Sequence, residues 1–136
     1  MVRSLAAQRV LVAEDDPHSR ELISAILRAH GYEVTATNDG IEAQEEILNN
    51  PPDLAIFDIQ MPYLTGTELC QTIKANRKVS QIPVMLISAC ADTGERAQQC
   101  GADDYLLKPY SITDLYERIA LLLAPKALRN EEVVAA

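Results

Sequence analysis

The sequence predicts an α/β fold: five parallel strands in one central sheet, each followed by a helix. Three observations predict it. Continuous apolar runs of about four residues recur along the chain, as in strands buried on both faces. Stretches with apolar residues at helical spacing lie between those runs. Capping and turn residues separate the two kinds of segment. Strands alternating with helices imply βαβ units, right-handed crossovers and a parallel sheet.

The first strand is the run 10–13, VLVA. Pro17 then stands where a first helical turn begins, and Gly31 just past the end of that helix. Leu22, Ile23, Ile26 and Leu27 form its apolar stripe. A weaker strand fits 33–37. The second helix carries the stripe Ile41, Glu45 and Leu48, with Ala43 and Ile47, and 49–52 (NNPP) stops it. The third strand is 54–57, LAIF; Thr65 and Gly66 open the third helix, marked by Leu69 and Ile73. The fourth strand is 84–87, VMLI. A short fourth helix over about 92–100 contains Gly94 and is closed by Gly101. A second weak strand fits 104–107, and Leu115, Ile119, Leu122 and Leu123 stripe the last helix. The five repeats fill residues 8–124 as one domain, leaving 125–136 as a short tail or linker stump.

The 136 residues suit a single domain, and 48% hydrophobic with 24% charged is an ordinary globular balance. Twelve basic residues against 20 acidic ones give a net charge of −8. That sign argues against direct nucleic-acid binding and against an anionic membrane surface. No apolar run is long enough to span a membrane, and the N-terminal stretch has too short an apolar core for a signal peptide. Cys70, Cys90 and Cys100 are odd in number and match no metal-binding spacing, so they read as reduced, packing thiols of a cytoplasmic protein.

The chemistry-bearing residues gather at strand ends. Glu14, Asp15 and Asp16 follow the first strand, Asp58 ends the third, Ser88 the fourth, and Lys108 follows the fifth, with Pro109 after it. In a parallel sheet all these ends share one edge, where ligands bind. Clustered carboxylates repel: a pair at ~4 Å costs about 4 kcal/mol at an effective dielectric of 20. A divalent cation relieves that, and hard oxygen donors suit Mg²⁺ completed by a phosphate. A lysine opposite supplies a point charge for a phosphoryl oxygen, and a serine hydroxyl a hydrogen bond. A central aspartate can itself be the nucleophile. Taken singly, each residue has an ordinary explanation. Acids before Pro17 favour a helix N-terminus, and a lone strand-end serine or lysine is usually just solvated. Their joint placement on four strand ends argues otherwise.

These motifs carry a resemblance. The runs VLVAEDD, FDIQMPYLTG, LISA and YLLKP occur in the order and at the strand ends of the receiver domain of two-component response regulators. The chain resembles that family over about 8–124, most closely a stand-alone, chemotaxis-regulator-like receiver. The resemblance implies a flavodoxin-like (βα)5 sandwich with strand order 2-1-3-4-5. It implies Asp58 as phosphoacceptor and Lys108 as the lysine paired to the phosphoryl group. It implies Ser88 as the switch hydroxyl, in place of the more frequent threonine, and Tyr105 as the switch aromatic. Mg²⁺ (or Mn²⁺) would be held by Asp15, Asp58 and the backbone carbonyl of Gln60, with Glu14 acting through water; Asp16 stands one step beyond the acidic pair. Pro109 matches a proline linked to a cis peptide. Gln60 and Cys90 occupy variable positions flanking the phosphoryl group; neither is an acid that could orient water, which points to a longer-lived phosphoryl state. Thr65 stands where the family commonly has aspartate.

The resemblance further implies a histidine kinase or histidine phosphotransfer protein as donor, and a downstream protein bound by the face of the fourth helix, fifth strand and fifth helix. The chain would modify only itself, as a monomer or weak dimer, and would not be a turnover enzyme. A phosphatase of the haloacid dehalogenase type would need an acid where Gln60 stands and a nucleophile after the first strand. A nucleotide-binding module would need a glycine-rich turn where Ala13 to Pro17 reads AEDDP. The remaining alternative is a receiver belonging to a larger regulator, with an output domain beyond residue 136.

Overall fold

A computed structural model describes residues 7–124 of the chain, and the expected tail over 125–136 lies outside them. Five strands and five helices alternate: β1 (Arg9–Ala13), α1 (Pro17–Ala29), β2 (Glu33–Thr37), α2 (Gly40–Asn49), β3 (Leu54–Asp58), α3 (Gly66–Ala75), β4 (Val84–Ser88), α4 (Thr93–Cys100), β5 (Asp104–Leu107) and α5 (Ile112–Leu123). All neighbouring strands are parallel, in the order β2-β1-β3-β4-β5. The fold is the flavodoxin-like one expected.

Side chains alternate across each strand, so successive residues enter two different cores. Leu11, Ala13, Ala55, Phe57 and Leu86 pack with α2, α3 and α4 on one face. Val10, Val12, Leu54, Ile56, Met85 and Ile87 pack with α1 and α5 on the other. β3 and β4 are buried along their whole length, which explains their unbroken apolar sequence. β2 and β5 are the sheet edges and are only partly buried, hence their mixed composition.

Caps set the helix ends. Asp16, Asp39, Thr65 and Ser111 each accept an N–H from the first turn of α1, α2, α3 and α5. Thr65 and Glu68 form a reciprocal capping box. Gly101 ends α4 at φ 84°, a left-handed conformation that costs glycine nothing.

Two apolar stripes differ from expectation. In α1, Ile23 and Leu27 are buried but Leu22 is 56% exposed. In α2, the buried residues are Gly40, Ala43 and Ile47, whereas Ile41 and Leu48 are 45% and 44% exposed. Ala43 and Ile47 sit one turn apart against the sheet; Ile41, Glu45 and Leu48 define a separate, outward edge. The stripes of α3 and α5 are buried at Leu69 and Ile73, and at Leu115, Ile119 and Leu122. Cys70 and Cys100 are buried in the core beneath α3 and α4, and Cys90 is half-buried.

Candidate functional site

Register places the site. Ala13 is level with Phe57, and Phe57 with Leu86, so Glu14 and Asp58 emerge side by side one residue higher. Ser88 is level with Leu107, so Lys108 rises just beyond it. The Lys108 backbone N–H donates to the Ser88 carbonyl at 2.9 Å, tying the two strand ends together. The Lys108–Pro109 peptide is cis.

The Lys108 ammonium donates to Asp58 Oδ2 at 2.7 Å and to Glu14 Oε1 at 2.8 Å. The second Asp58 oxygen accepts the Gln60 N–H at 2.9 Å, and the second Glu14 oxygen accepts the Asp16 N–H at 3.1 Å. Both carboxylates are buried. Burial raises the Glu14 pKa above its ordinary value, with the negative charge of Asp58 adding to the rise and Lys108 opposing it. Burial alone would lower the Lys108 pKa; its bonds to Asp58 and Glu14 outweigh that and push it up to about 12.

The three acids after β1 have three separate positions. Glu14 joins Lys108. Asp16 caps α1, and the Ser19 N–H holds its carboxyl below the usual range. Asp15 is exposed, and its carboxylate makes no hydrogen bond or ion pair among the described residues. Glu14 and Asp58 thus meet at Lys108, with Asp15 exposed in the loop directly after Glu14.

Ser88 is fully buried and its Oγ accepts the Cys90 N–H at 3.1 Å. Tyr105 lies on β5, 39% exposed, with its ring over α4 at Gly94. A Cβ on residue 94 would meet the ring Cζ at 2.9 Å, so the absent side chain makes the seat for the aromatic ring. Gly94 thus has a packing reason.

Several contributors were not read from the sequence. The Arg20 guanidinium donates to the Glu14 and Asp15 carbonyls at 2.9 and 3.3 Å and pins the acidic loop. Nothing in a lone arginine on a helix signals that. Gly66 packs against the backbone of Asp58: a Cβ there would stand 2.9 Å from Ile59 Cα and closer still to the Asp58 carbonyl oxygen. An apolar cavity of about 380 Å³ opens beside the carboxylates, lined by Leu22, Ile23, Ile26, Ile56, Tyr110 and Ile112 among others. The apolar residues come from β1, α1, β3, β4, α5 and the loop before α5, so no local pattern announces it.

The donors present fit a hard divalent cation. Two buried carboxylates face one ammonium, which leaves a surplus negative charge, and the free carboxylate of Asp15 lies in the same loop. All are oxygen donors, the set Mg²⁺ prefers.

Comparison with known proteins agrees. A family description, the response regulator receiver domain, matches residues 10–120. The chain is 32% identical over 133 residues to the DNA-binding dual master transcriptional regulator RpaA of Synechocystis sp., covering 93% of this chain and 55% of that protein. It is 37% identical over 117 residues to the response regulator MprA of a Mycobacterium species, covering 85% and 50%. The chain thus spans about half the length of the curated relatives it matches. Among solved structures, the receiver domain of a sensor histidine kinase from Pseudomonas aeruginosa, with a magnesium ion coordinated in its active site cleft, superposes with a TM-score of 0.81 at 32% identity, covering 87% of this chain and 98% of that one. A CheY-like receiver domain protein from Methanospirillum hungatei gives 0.78 at 30% identity, covering 87% and 94%. With the match running from β1 into α5, over the same sheet and the same strand ends, the chain belongs to the response regulator receiver domain family of two-component signalling.

Proposed function

We propose that Asp58 accepts a phosphoryl group from a phosphohistidine of a histidine kinase or histidine phosphotransfer protein. The observation that carries this reading is the Asp58 carboxylate held 2.7 Å from the Lys108 ammonium at the sheet edge. A carboxylate oxygen of Asp58 attacks phosphorus, the P–N bond breaks, and the imidazole leaves and takes up a proton. Lys108 stays beside the transferred group and balances charge that develops on its oxygens. Asp15, Asp58 and the Gln60 carbonyl, with Glu14 through water, would hold Mg²⁺ (or Mn²⁺). When bound, the cation supplies charge neutralisation for the phosphoryl oxygens and for the carboxylates. The chain is its own substrate and is not a turnover enzyme.

The cavity between α1 and α5 supports a docked donor, because it gives an approaching partner apolar footing beside the nucleophile. Leu22 and Ile112, 56% and 53% exposed, stand at its lining. Phosphorylation adds about −1.5 to −2 charges by analogy with other phosphorylated side chains. Ser88 and Lys108 then turn to the new group, and Tyr105 leaves its seat on Gly94 for the space behind Ser88. The face of α4, β5 and α5 changes with it, and that face binds the downstream protein; the process is a shift between two existing populations. Cytoplasmic residence fits this partner set; among the described residues no helix is long and apolar enough to cross a membrane.

A second reading is that this receiver works within a longer regulator carrying an output domain, supported by the greater length of the curated relatives. The size of the protein in its native cells separates the two.

The test of phosphotransfer is intact mass after incubation with Mg²⁺ and acetyl phosphate. The parent gains one phosphoryl group, and Asp58→Ala does not. Equal uptake by Asp58→Ala overturns the assignment, and uptake unchanged by chelation overturns the metal role.

A further inference from the structure

We propose that the outward edge of α2, together with Tyr63 in the loop after β3, is a docking site for a basic amphipathic helix of a partner protein. Ile41, Glu45 and Leu48 follow one another at i, i+4 and i+7, a straight exposed row along α2. None of the three is needed by the core, which Ala43 and Ile47 serve.

Tyr63 extends this row. It is 84% exposed and shares a shallow depression with Ile41, Asp39, Glu42 and Glu45. Its backbone φ is 68°, a region that disfavours a bulky side chain. The Leu64 N–H donates to the Pro62 carbonyl at 2.7 Å, so Tyr63 sits at the centre of a tight γ-turn, a rare and strained arrangement. The turn is fixed against α2: a Cβ on Gly40 would run into the Leu64 backbone. A large aromatic ring is therefore projected into solvent at a position where glycine or asparagine would be easier. Strain of this kind gathers at functional sites, and exposed tyrosines are favoured interface anchors.

Charge names the partner. The depression is rimmed by Asp39, Glu42 and Glu45, and α2 carries no lysine or arginine. Among the described residues no ion pair neutralises these acids. Ile41 and Leu48 on either side of Glu45, bordered by Asp39 and Glu42, whose carboxylates cap the start of α2 but join no ion pair, complement a helix with leucine-type residues on one side and lysine or arginine beside them. The same acids repel an anionic membrane.

The test maps amide chemical shifts of the whole chain during titration with a synthetic helical peptide of leucine and lysine. A second peptide has each leucine replaced by serine. The proposal expects saturable shifts grouped at residues 38–48 and 62–64 with the first peptide only. The Ile41→Gln, Leu48→Gln double variant should weaken binding by about tenfold. Tyr63→Asn should weaken it by several-fold without lowering the unfolding temperature, because asparagine accepts the left-handed backbone. Shifts centred elsewhere, equal binding of the serine peptide, or an unaffected double variant would overturn the proposal. So would a dimer of the free protein, seen by sedimentation, that the double variant dissolves, because a second copy would then be the occupant.

Discussion

Lys108 and Asp58 form an ion pair of 2.7 Å at the centre of the site, and the same ammonium reaches Glu14 at 2.8 Å. One cation thus serves two buried carboxylates. Lys108→Met leaves them facing each other, and stability at neutral pH should fall by about 3 kcal/mol, as when a buried pair loses one partner. The raised Lys108 pKa sets an alkaline signature. Its stabilisation is complete below the ordinary value of 10.5 and is lost as pH rises through about 12. Denaturant unfolding from pH 9 to 12 should show a decline of at most about 2 kcal/mol in the parent that is missing from Lys108→Met. Parallel profiles would sink the assignment.

Glu14 gives a signature of the same sign, displaced to the acid side. Its pKa is raised, so the fold favours the protonated form. That contribution is present below the ordinary 4.5 and is lost as pH rises through the folded value. Relative to the parent, Glu14→Gln should therefore gain stability as pH rises above 4.5 and then level off. A Glu14→Gln stability that falls relative to the parent over that window contradicts the shift.

Metal binding should stabilise the folded state by mass action. Millimolar Mg²⁺ should raise the unfolding temperature of the parent, and a chelator should reverse it. Asp15→Ala should lose most of the effect, even though Asp15 lies outside the Lys108 network. An undiminished shift in Asp15→Ala would remove it from the ligand set.

The seat of Tyr105 can be closed. In Gly94→Ala the new methyl meets the ring at 2.9 Å, and the ring, being a movable side chain, must leave. Alanine also has the better helix propensity, worth less than the interior value of about 1 kcal/mol because Gly94 lies in the first turn of α4. The variant should be at least as stable as the parent, with the Tyr105 ring displaced in fluorotyrosine NMR spectra. A ring resonance identical to that of the parent would show that Gly94 does not hold it.

Gly66→Ala should be harmful, because its Cβ meets the backbone of Asp58 and Ile59, which cannot swing away. A loss of about 2 kcal/mol is expected from such overpacking. Slower phosphorylation should accompany it, since the Asp58 segment has to shift. Full uptake at the parent rate would separate the loop from the site.

The sequence by itself determined the alternation of elements, because strands buried on both faces need unbroken apolar runs. β3 and β4 were the clearest for that reason, and β2 and β5 the weakest, being edges. It also located Asp58, Ser88 and Lys108 at strand ends, since strand ends follow directly from strand limits. Only the tertiary structure decided which acid meets Lys108. Glu14, Asp15 and Asp16 are adjacent in the chain, yet one meets Lys108, one faces solvent and one caps α1. It also decided which edge of α2 is buried. Ala43 with Ile47 and Ile41 with Leu48 are both apolar pairs, and only the sheet beneath selects between them. The seats for Tyr105 at Gly94 and for the Asp58 backbone at Gly66 likewise depend on atoms from distant segments meeting in space, and no local pattern of residues encodes such a meeting.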